Sequence, residues 1–405
     1  MKRLFIILKG SKTSQYGVGT YVRQLICCLD VSAWEIYVLE LDSLGKECHS
    51  NRENGIYHFH IPCIVDSTIW NIQQEKDYHR SVFYWLMAQL DFSKDIPIYC
   101  HFNFPDSGEL ARLFKMYFDA KILFTLHYME WKFYLRENAD ELCRIIENPR
   151  TKKEWELSNG FIREKQFMTE YCDRVVTVSR HSYTLLQILY ELPESKLFYM
   201  PHALTDRCVK RSKEQKFAIR RKYHIGADER IILFVGRLNA DKGIYDLIQI
   251  FPKLLCKYPS LHLVISGSGN FNSLLKLSLS YQHKVTFTGY MESWLLDELY
   301  SIADVGIVPS YHEELGYVAI EMMMHGLPII CSNAHGLLEV TNYGECGKVM
   351  EWDKDNKYIS LYNILEDWMI SNSQYEVLSI KGRERYLKEY SLDVYKEKVK
   401  LLYQI

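Results

Sequence analysis

The feature that most limits what this chain can fold into is an alternation that runs through it twice. Short apolar runs at residues 4–8, 36–39, 98–100, 122–126 and 174–178 are separated by longer stretches of helical period such as 21–26. Unbroken apolar runs of this length belong to strands covered on both faces, and strand-helix-strand order makes those strands parallel. The pattern breaks near Pro201, crosses a polar, basic segment at 210–222, and restarts. Strands are predicted at 231–235, 261–265, 285–287 and 305–308, with helices at 244–255 and 294–302. Ile244, Leu247, Ile248, Phe251, Leu254 and Leu255 fall on one stripe, as in a helix laid on a sheet. The expectation is two α/β domains, which suits a chain of 405 residues. Between them in character stands 128–171, long, charged and aromatic with Trp131, Phe133, Tyr134 and Trp155, predicted to form one or two helices bordering a site.

Charge narrows the partners. Lys and Arg number 49 against 51 Asp and Glu, a net charge of -2, so no global field steers the chain onto nucleic acid, and any anion site must be local. The basic run with Arg211, Lys213, Lys216, Arg220 and Arg221 reads as a solvated helix face after a linker; contact with an anionic membrane surface or an acidic partner is the other reading. No stretch approaches the ~18 to 20 apolar residues of a membrane span, and the apolar run at 4–8 is too short for a secretion signal. The 11 cysteines are scattered without a CxxC pair, which favours reduced thiols. A cytoplasmic protein is expected, with peripheral association at the inner membrane face as the extension of the basic-run reading.

The most informative segment runs from 309 to 328, PSYHEELGYVAIEMMMHGLP. A strand ends at Val308, a loop carries Glu313 and Glu314, and a helix is predicted from about Gly316 to Gly326. Glu321 stands alone among Val318, Ala319, Ile320, Met322, Met323 and Met324. A buried carboxylate without a partner costs several kcal/mol, so Glu321 needs either a partner within the fold or a ligand such as a ribose diol. The N–H groups at the helix start near Gly316 can meet a phosphate. Upstream, VGRLNADKG at 235–243 joins a strand to a helix. There Arg237 can fork onto phosphate oxygens and Lys242 can add a point charge, at the strand end where open α/β sheets bind ligands.

These segments resemble the large retaining family 4 of GT-B glycosyltransferases (glycosyl transferases group 1). The resemblance rests on GRL...KG, ISGSG at 265–269, FTGY at 287–290, ADVGIVPS at 303–310 and the paired glutamates Glu313 and Glu321, with seven residues between them and Leu315 where the family has Phe. In the first half GVGTYV at 17–22, TLH at 125–127 and CDRVVTVS at 172–179 resemble the family's segments, while PHAL at 201–204 departs from its Pro-Asn-Gly.

The resemblance implies a GT-B architecture, two Rossmann-like domains facing across a cleft: an acceptor-side domain at 1–205, a nucleotide-sugar donor domain at 206–390, and a final helix at 391–405 crossing back. It implies transfer of a hexosyl-type sugar, with retention, from a UDP- or GDP-linked donor to a carbohydrate, lipid-linked or peptide acceptor, in surface glycan or glycoconjugate synthesis. By the same resemblance Gly17, Arg237 and Lys242 meet the diphosphate, Gly316 and Tyr290 border the donor, Glu321 holds the ribose, Glu313 meets sugar hydroxyls, and His127 approaches the transferred sugar. His127, Glu313, Arg237 and Lys242 are the expected catalytic set. Fixed cations can stabilise the leaving diphosphate, so no metal and no cofactor is expected; Asp353-Lys-Asp355 spells D-x-D but follows the site segment in a polar loop.

Two rivals remain at this level. Gly17-x-Gly19 with Glu40, 21 residues beyond, resembles an NAD-binding turn, but the loop from Leu8 is too long and Val22 takes the third glycine position. A non-catalytic sugar-nucleotide-binding partner would keep the fold, and the intact Arg237, Lys242, Glu313 and Glu321 oppose it.

Overall fold

Strand β1 (Lys2–Lys9) is buried over residues 3–8 and lies between two parallel neighbours, β2 (Trp34–Ser43) and β5 (Ile98–Phe102). Its unbroken apolar run is what a central strand covered on both faces requires. The computed structural model describes residues 1–10, 17–43, 45–63, 71–92, 96–352 and 357–405. They divide into two units, Met1–Pro201 with Tyr395–Ile405, and His202–Val394.

In the first unit eight strands take the order β3-β4-β2-β1-β5-β6-β7-β8. Here β3 is His49–Glu53, β4 Ile56–Pro62, β6 Lys121–Leu126, β7 Arg174–Thr177 and β8 Leu197–Tyr199. All pairings are parallel except β3 with β4, a hairpin whose exposed outer strand β3 forms the sheet edge and which the sequence pattern did not anticipate. Its Asn54-Gly55 turn has φ of 49° and 86°, the Asn-Gly signature of a tight hairpin. The core packs Phe5, Phe83, Phe102, Phe114 and Phe124 with aliphatic neighbours.

Residues 128–171 form three α-helices rather than one or two: Glu130–Leu135, Ala139–Glu147 and Lys152–Gln166, the last running into a π-helical turn, Phe167–Tyr171. The breaks are local. Arg136 and Glu137 both have positive φ, 48° and 63°, which ends the first helix. The side chains of Asn138 and Thr151 then accept from the backbone N–H of Glu141 and Glu154, starting the next two.

The second unit is a six-stranded, wholly parallel sheet of order β11-β10-β9-β12-β13-β14. The strands are β9 Arg230–Val235, β10 Leu261–Ser266, β11 Val285–Gly289, β12 Val305–Val308, β13 Ile329–Ser332 and β14 Lys348–Met350. Helix Ile244–Lys257 lays its predicted stripe on this sheet, with Ile244, Leu247, Ile248, Phe251 and Leu254 buried. The basic run is a largely exposed helix, as expected: Lys213–Lys222 is opened by a Ser212–Gln215 capping box. It is tied to this unit by Lys222 to Glu298 at 2.6 Å and Arg220 to Asp304 at 3.4 Å. No described helix is long and apolar enough to cross a membrane.

Candidate functional site

The order of the second sheet decides where its site lies. β9 has β10 on one side and β12 on the other, so the chain leaves it in opposite directions and the loops following β9 and β12 flank a crevice at the strand ends. Residues 236–243 and 309–316 are those loops. They touch at the backbone, where Tyr311 N–H donates to the Asp241 carbonyl at 2.8 Å. Gly243 has a φ of 68°, and a Cβ there would stand 2.1 Å from the Pro309 carbonyl oxygen, so the approach needs glycine.

This closeness brings Lys242 and Glu313 together, two residues that sequence reasoning assigned to one ligand from separate motifs. The Lys242 ammonium donates to Glu313 Oε1 at 2.5 Å, and the Ser310 hydroxyl donates to the same oxygen at 2.9 Å. Both charged side chains are 17% exposed, so each is oriented by the other while still reachable from solvent. Arg237, five residues before Lys242, differs: it is exposed, and its guanidinium has no hydrogen bond or ion pair among the described residues.

Helix Tyr317–Met324 follows directly, with Gly316 as its N-terminal cap at φ 94°. Glu321 has internal partners, so the carboxylate does not depend on a ligand to be satisfied. The Tyr300 hydroxyl donates to Oε2 at 2.7 Å, while Arg207 stands 3.9 Å from Oε1, beyond hydrogen-bond length. Arg207 is itself drawn to Asp297, 3.2 Å from its Nε, and Asp297 also meets His325 Nε2 at 2.9 Å. Burial raises the Glu321 pKa above the ordinary carboxylate value, and the Tyr300 hydroxyl and Arg207 counter it.

A pH prediction follows from that sign. A raised folded pKa means that Glu321 weakens folding as pH rises from the ordinary value of 4.5 through the raised one. Tyr300→Phe removes the donor that eases ionisation, so it should cost about 1.5 to 3 kcal/mol on the alkaline side of the raised pKa, where the acceptor is charged. Most of that difference should vanish in acid, where the carboxyl is protonated in both states. Urea unfolding of both proteins at pH 4 and pH 8 checks this; an equal cost at both pH values would mean that the hydroxyl does not serve the carboxylate.

The first unit carries two of the predicted residues. Gly17 opens helix Gly17–Cys27 after β1, and His127 follows β6 directly. The His127 ring is part-buried, with Nε2 2.9 Å from Asn103 Oδ1 and the edge of the Tyr21 ring against it, centroids 4.9 Å apart. Desolvation brings its pKa down to about 3, so the ring is neutral at pH 7. Behind it lies a buried polar network. Thr125 Oγ1 is 2.7 Å from both the Tyr21 hydroxyl and His101 Nε2, and His101 Nδ1 is 2.8 Å from the Tyr403 hydroxyl. His101 is fully buried, and desolvation lowers its pKa to about 3 as well. It serves as a structural histidine.

The remaining positions separate. Tyr290 is 59% exposed just beyond β11. His312 lies 3.7 Å from Glu314. His202, in the departure from Pro-Asn-Gly, is buried and stacked on Tyr317, with centroids 4.7 Å apart and planes at 5°. Glu40 lies 3.3 Å from His60 Nδ1. Asp353 and Asp355 lie outside the described residues. Sequence reasoning missed Asn103, Arg207 and Tyr300. Asn103 carried one usable signal, its place at the carboxyl end of an apolar run; Arg207 and Tyr300 carried none.

Residues 215–385 match the family described as glycosyl transferases group 1. Among curated proteins, an uncharacterized glycosyltransferase of Methanocaldococcus jannaschii is 32% identical over 235 residues, 55% of this chain and 60% of that protein. The chain thus spans 60% or less of the length of the first sequence relatives it matches. Among solved structures, sucrose-phosphate synthase from Thermosynechococcus elongatus superimposes with a TM-score of 0.76 at 20% identity, covering 100% of this chain and 98% of that one. Anabaena HepE in complex with UDP and glucose gives 0.71 at 14% identity, covering both chains fully at 100%. The fold is that of GT-B glycosyltransferases, an α/β architecture with two parallel-sheet domains.

Proposed function

We propose that this chain transfers a hexosyl group from a nucleoside-diphosphate sugar to an acceptor hydroxyl, with retention and without a divalent ion. The observation that carries the reading is the Lys242–Glu313 pair at the β9/β12 crevice, with Arg237 exposed on the same loop and Glu321 on the helix that follows. A carboxylate able to accept from sugar hydroxyls and two cations able to meet a diphosphate stand on two adjoining loops. The match of residues 215–385 to glycosyl transferases group 1 supports it, as does the likeness to a structure that holds UDP and glucose.

Each group has a task. Arg237 forks onto diphosphate oxygens, and Lys242 adds charge as the sugar's hydroxyls take over Glu313. Glu321 offers Oε1 to a ribose hydroxyl, Oε2 being held by Tyr300. In the second unit the helix start at Gly316 supplies backbone N–H groups to the phosphates and Tyr290 presents an exposed ring to the base; in the first, Gly17 offers a backbone N–H to phosphate and His127 a hydrogen-bonding ring to a sugar hydroxyl. As the glycosidic bond breaks, negative charge grows on the leaving diphosphate, and a preorganised donor aimed there lowers the barrier by about 3 to 4 kcal/mol. Such charge stabilisation needs no metal ion.

The test is a donor screen on the full chain. Thermal stabilisation by UDP- or GDP-hexoses but not by NAD is expected, with release of nucleoside diphosphate when an acceptor is present and mass spectrometry of the product showing one added hexose. NMR of the product should show the donor's anomeric configuration. EDTA should leave turnover unchanged; turnover abolished by EDTA and restored by manganese would defeat the metal-free reading. Stabilisation by NAD alone would favour an oxidoreductase, and binding without transfer to any acceptor a non-catalytic partner.

A further inference from the structure

Asn103 follows β5 by one residue, is 2% exposed, and has each end of its amide committed to a different neighbour. Nδ2 donates to the Ile7 carbonyl at 3.1 Å, with the His101 carbonyl at 3.5 Å. Carbonyl oxygens only accept, so this end must be the NH2 group; turning the amide over would set an oxygen against two oxygens. Oδ1 therefore faces His127 Nε2 at 2.9 Å. An amide oxygen cannot donate, so the proton of that hydrogen bond belongs to the imidazole.

We propose that Asn103 is a positioning residue that holds His127 as its Nε2-protonated tautomer, so that Nδ1 is the accepting nitrogen and His127 takes a hydrogen bond from a substrate hydroxyl rather than giving one. The second half rests on the function proposed above; the first half stands on geometry alone. Desolvation keeps the ring neutral at working pH, which makes the choice of tautomer meaningful. The ring plane is set separately. Tyr21 packs edge-on at 75°, and its hydroxyl is fixed by Thr125, which is shared with His101. Orientation and tautomer are thus held from two sides, as a group that must read one hydroxyl requires.

The tautomer has its own spectroscopic readout. Side-chain 15N spectra of the full chain, with the His127 signals assigned by their loss in His127→Gln, should show a protonated Nε2 and a bare Nδ1 at neutral pH. Asn103→Leu, close in size but without an acceptor, should shift those signals toward a mixture and lower kcat/KM on the order of tenfold. Asn103→Asp, which keeps an accepting oxygen, should retain the Nε2 proton. A wild-type spectrum with the proton on Nδ1 overturns the tautomer assignment, and an Asn103→Leu spectrum identical to wild type overturns Asn103 as the residue that holds it; the wild-type spectrum decides the tautomer even where the leucine variant fails to fold. Full transfer activity in His127→Ala would overturn the substrate contact while leaving the tautomer standing, so the two failures are distinguishable.

Discussion

Arg237→Ala is expected to lower kcat/KM for glycosyl transfer by roughly 100-fold or more while leaving the unfolding midpoint unchanged. The two halves of this expectation come from the same observation. Arg237 is exposed and has no hydrogen bond or ion pair among the described residues, so truncating it breaks nothing in the fold, and exposed substitutions of this kind stay within about 0.5 kcal/mol. A guanidinium without a partner among the described residues, on the loop that also carries Lys242, is instead available to an anion. Lys242 differs because Glu313 already neutralises it at 2.5 Å, so Arg237 is the cation a diphosphate can reach without breaking an existing bond. Steady-state kinetics with urea unfolding of the same preparation separate the effects. Near-normal turnover would remove Arg237 from the mechanism.

Gly267→Ala is expected to destabilise the second unit by about 3 to 5 kcal/mol. Gly267 follows β10 with φ of 149°, and an added Cβ would lie 1.7 Å from the Gly236 carbonyl oxygen and 2.8 Å from its carbon. These are backbone atoms on the loop that carries Arg237, and they cannot rotate away as a side chain would. Gly236 N–H donates to the Ser266 carbonyl at 3.0 Å, and Gly267 N–H donates to the Gly289 carbonyl at 2.9 Å, so the strand ends of β9, β10 and β11 would have to part. Gly289 serves as the comparison. Its φ is 71° but nothing lies within 4 Å of the site of a Cβ, so Gly289→Ala should show only backbone strain, about 1 to 2 kcal/mol. Equal losses in the two variants, measured by denaturant unfolding, would show that the contact with Gly236 costs nothing.

Much of this architecture was legible beforehand. The apolar runs are buried strands and the stripe on Ile244–Lys257 is a buried face, because a strand or helix that must be covered repeats its apolar residues at the period of its own backbone. The hairpin β3-β4 escaped because its first strand is exposed throughout and shows no apolar pattern. The three helices within 128–171 escaped because their boundaries are set by single caps and two residues of positive φ rather than by composition. Lys242 and Glu313 could each be singled out from their motifs, yet nothing local said that they would bond each other.

By itself, the sequence determined the two α/β units and the candidate residues at the strand ends, since burial period and loop chemistry are properties of neighbours along the chain. Only the tertiary structure decided which groups meet: Glu313 with Lys242, 71 residues away, Glu321 with Tyr300, 21 away, and His127 with Asn103, 24 away. Hydrogen bonds and ion pairs hold over a few ångströms of space. Strand order, which places β12 beside β9 and β6 beside β5, sets the first and last of those distances, helix packing sets the second, and no local stretch of residues encodes either.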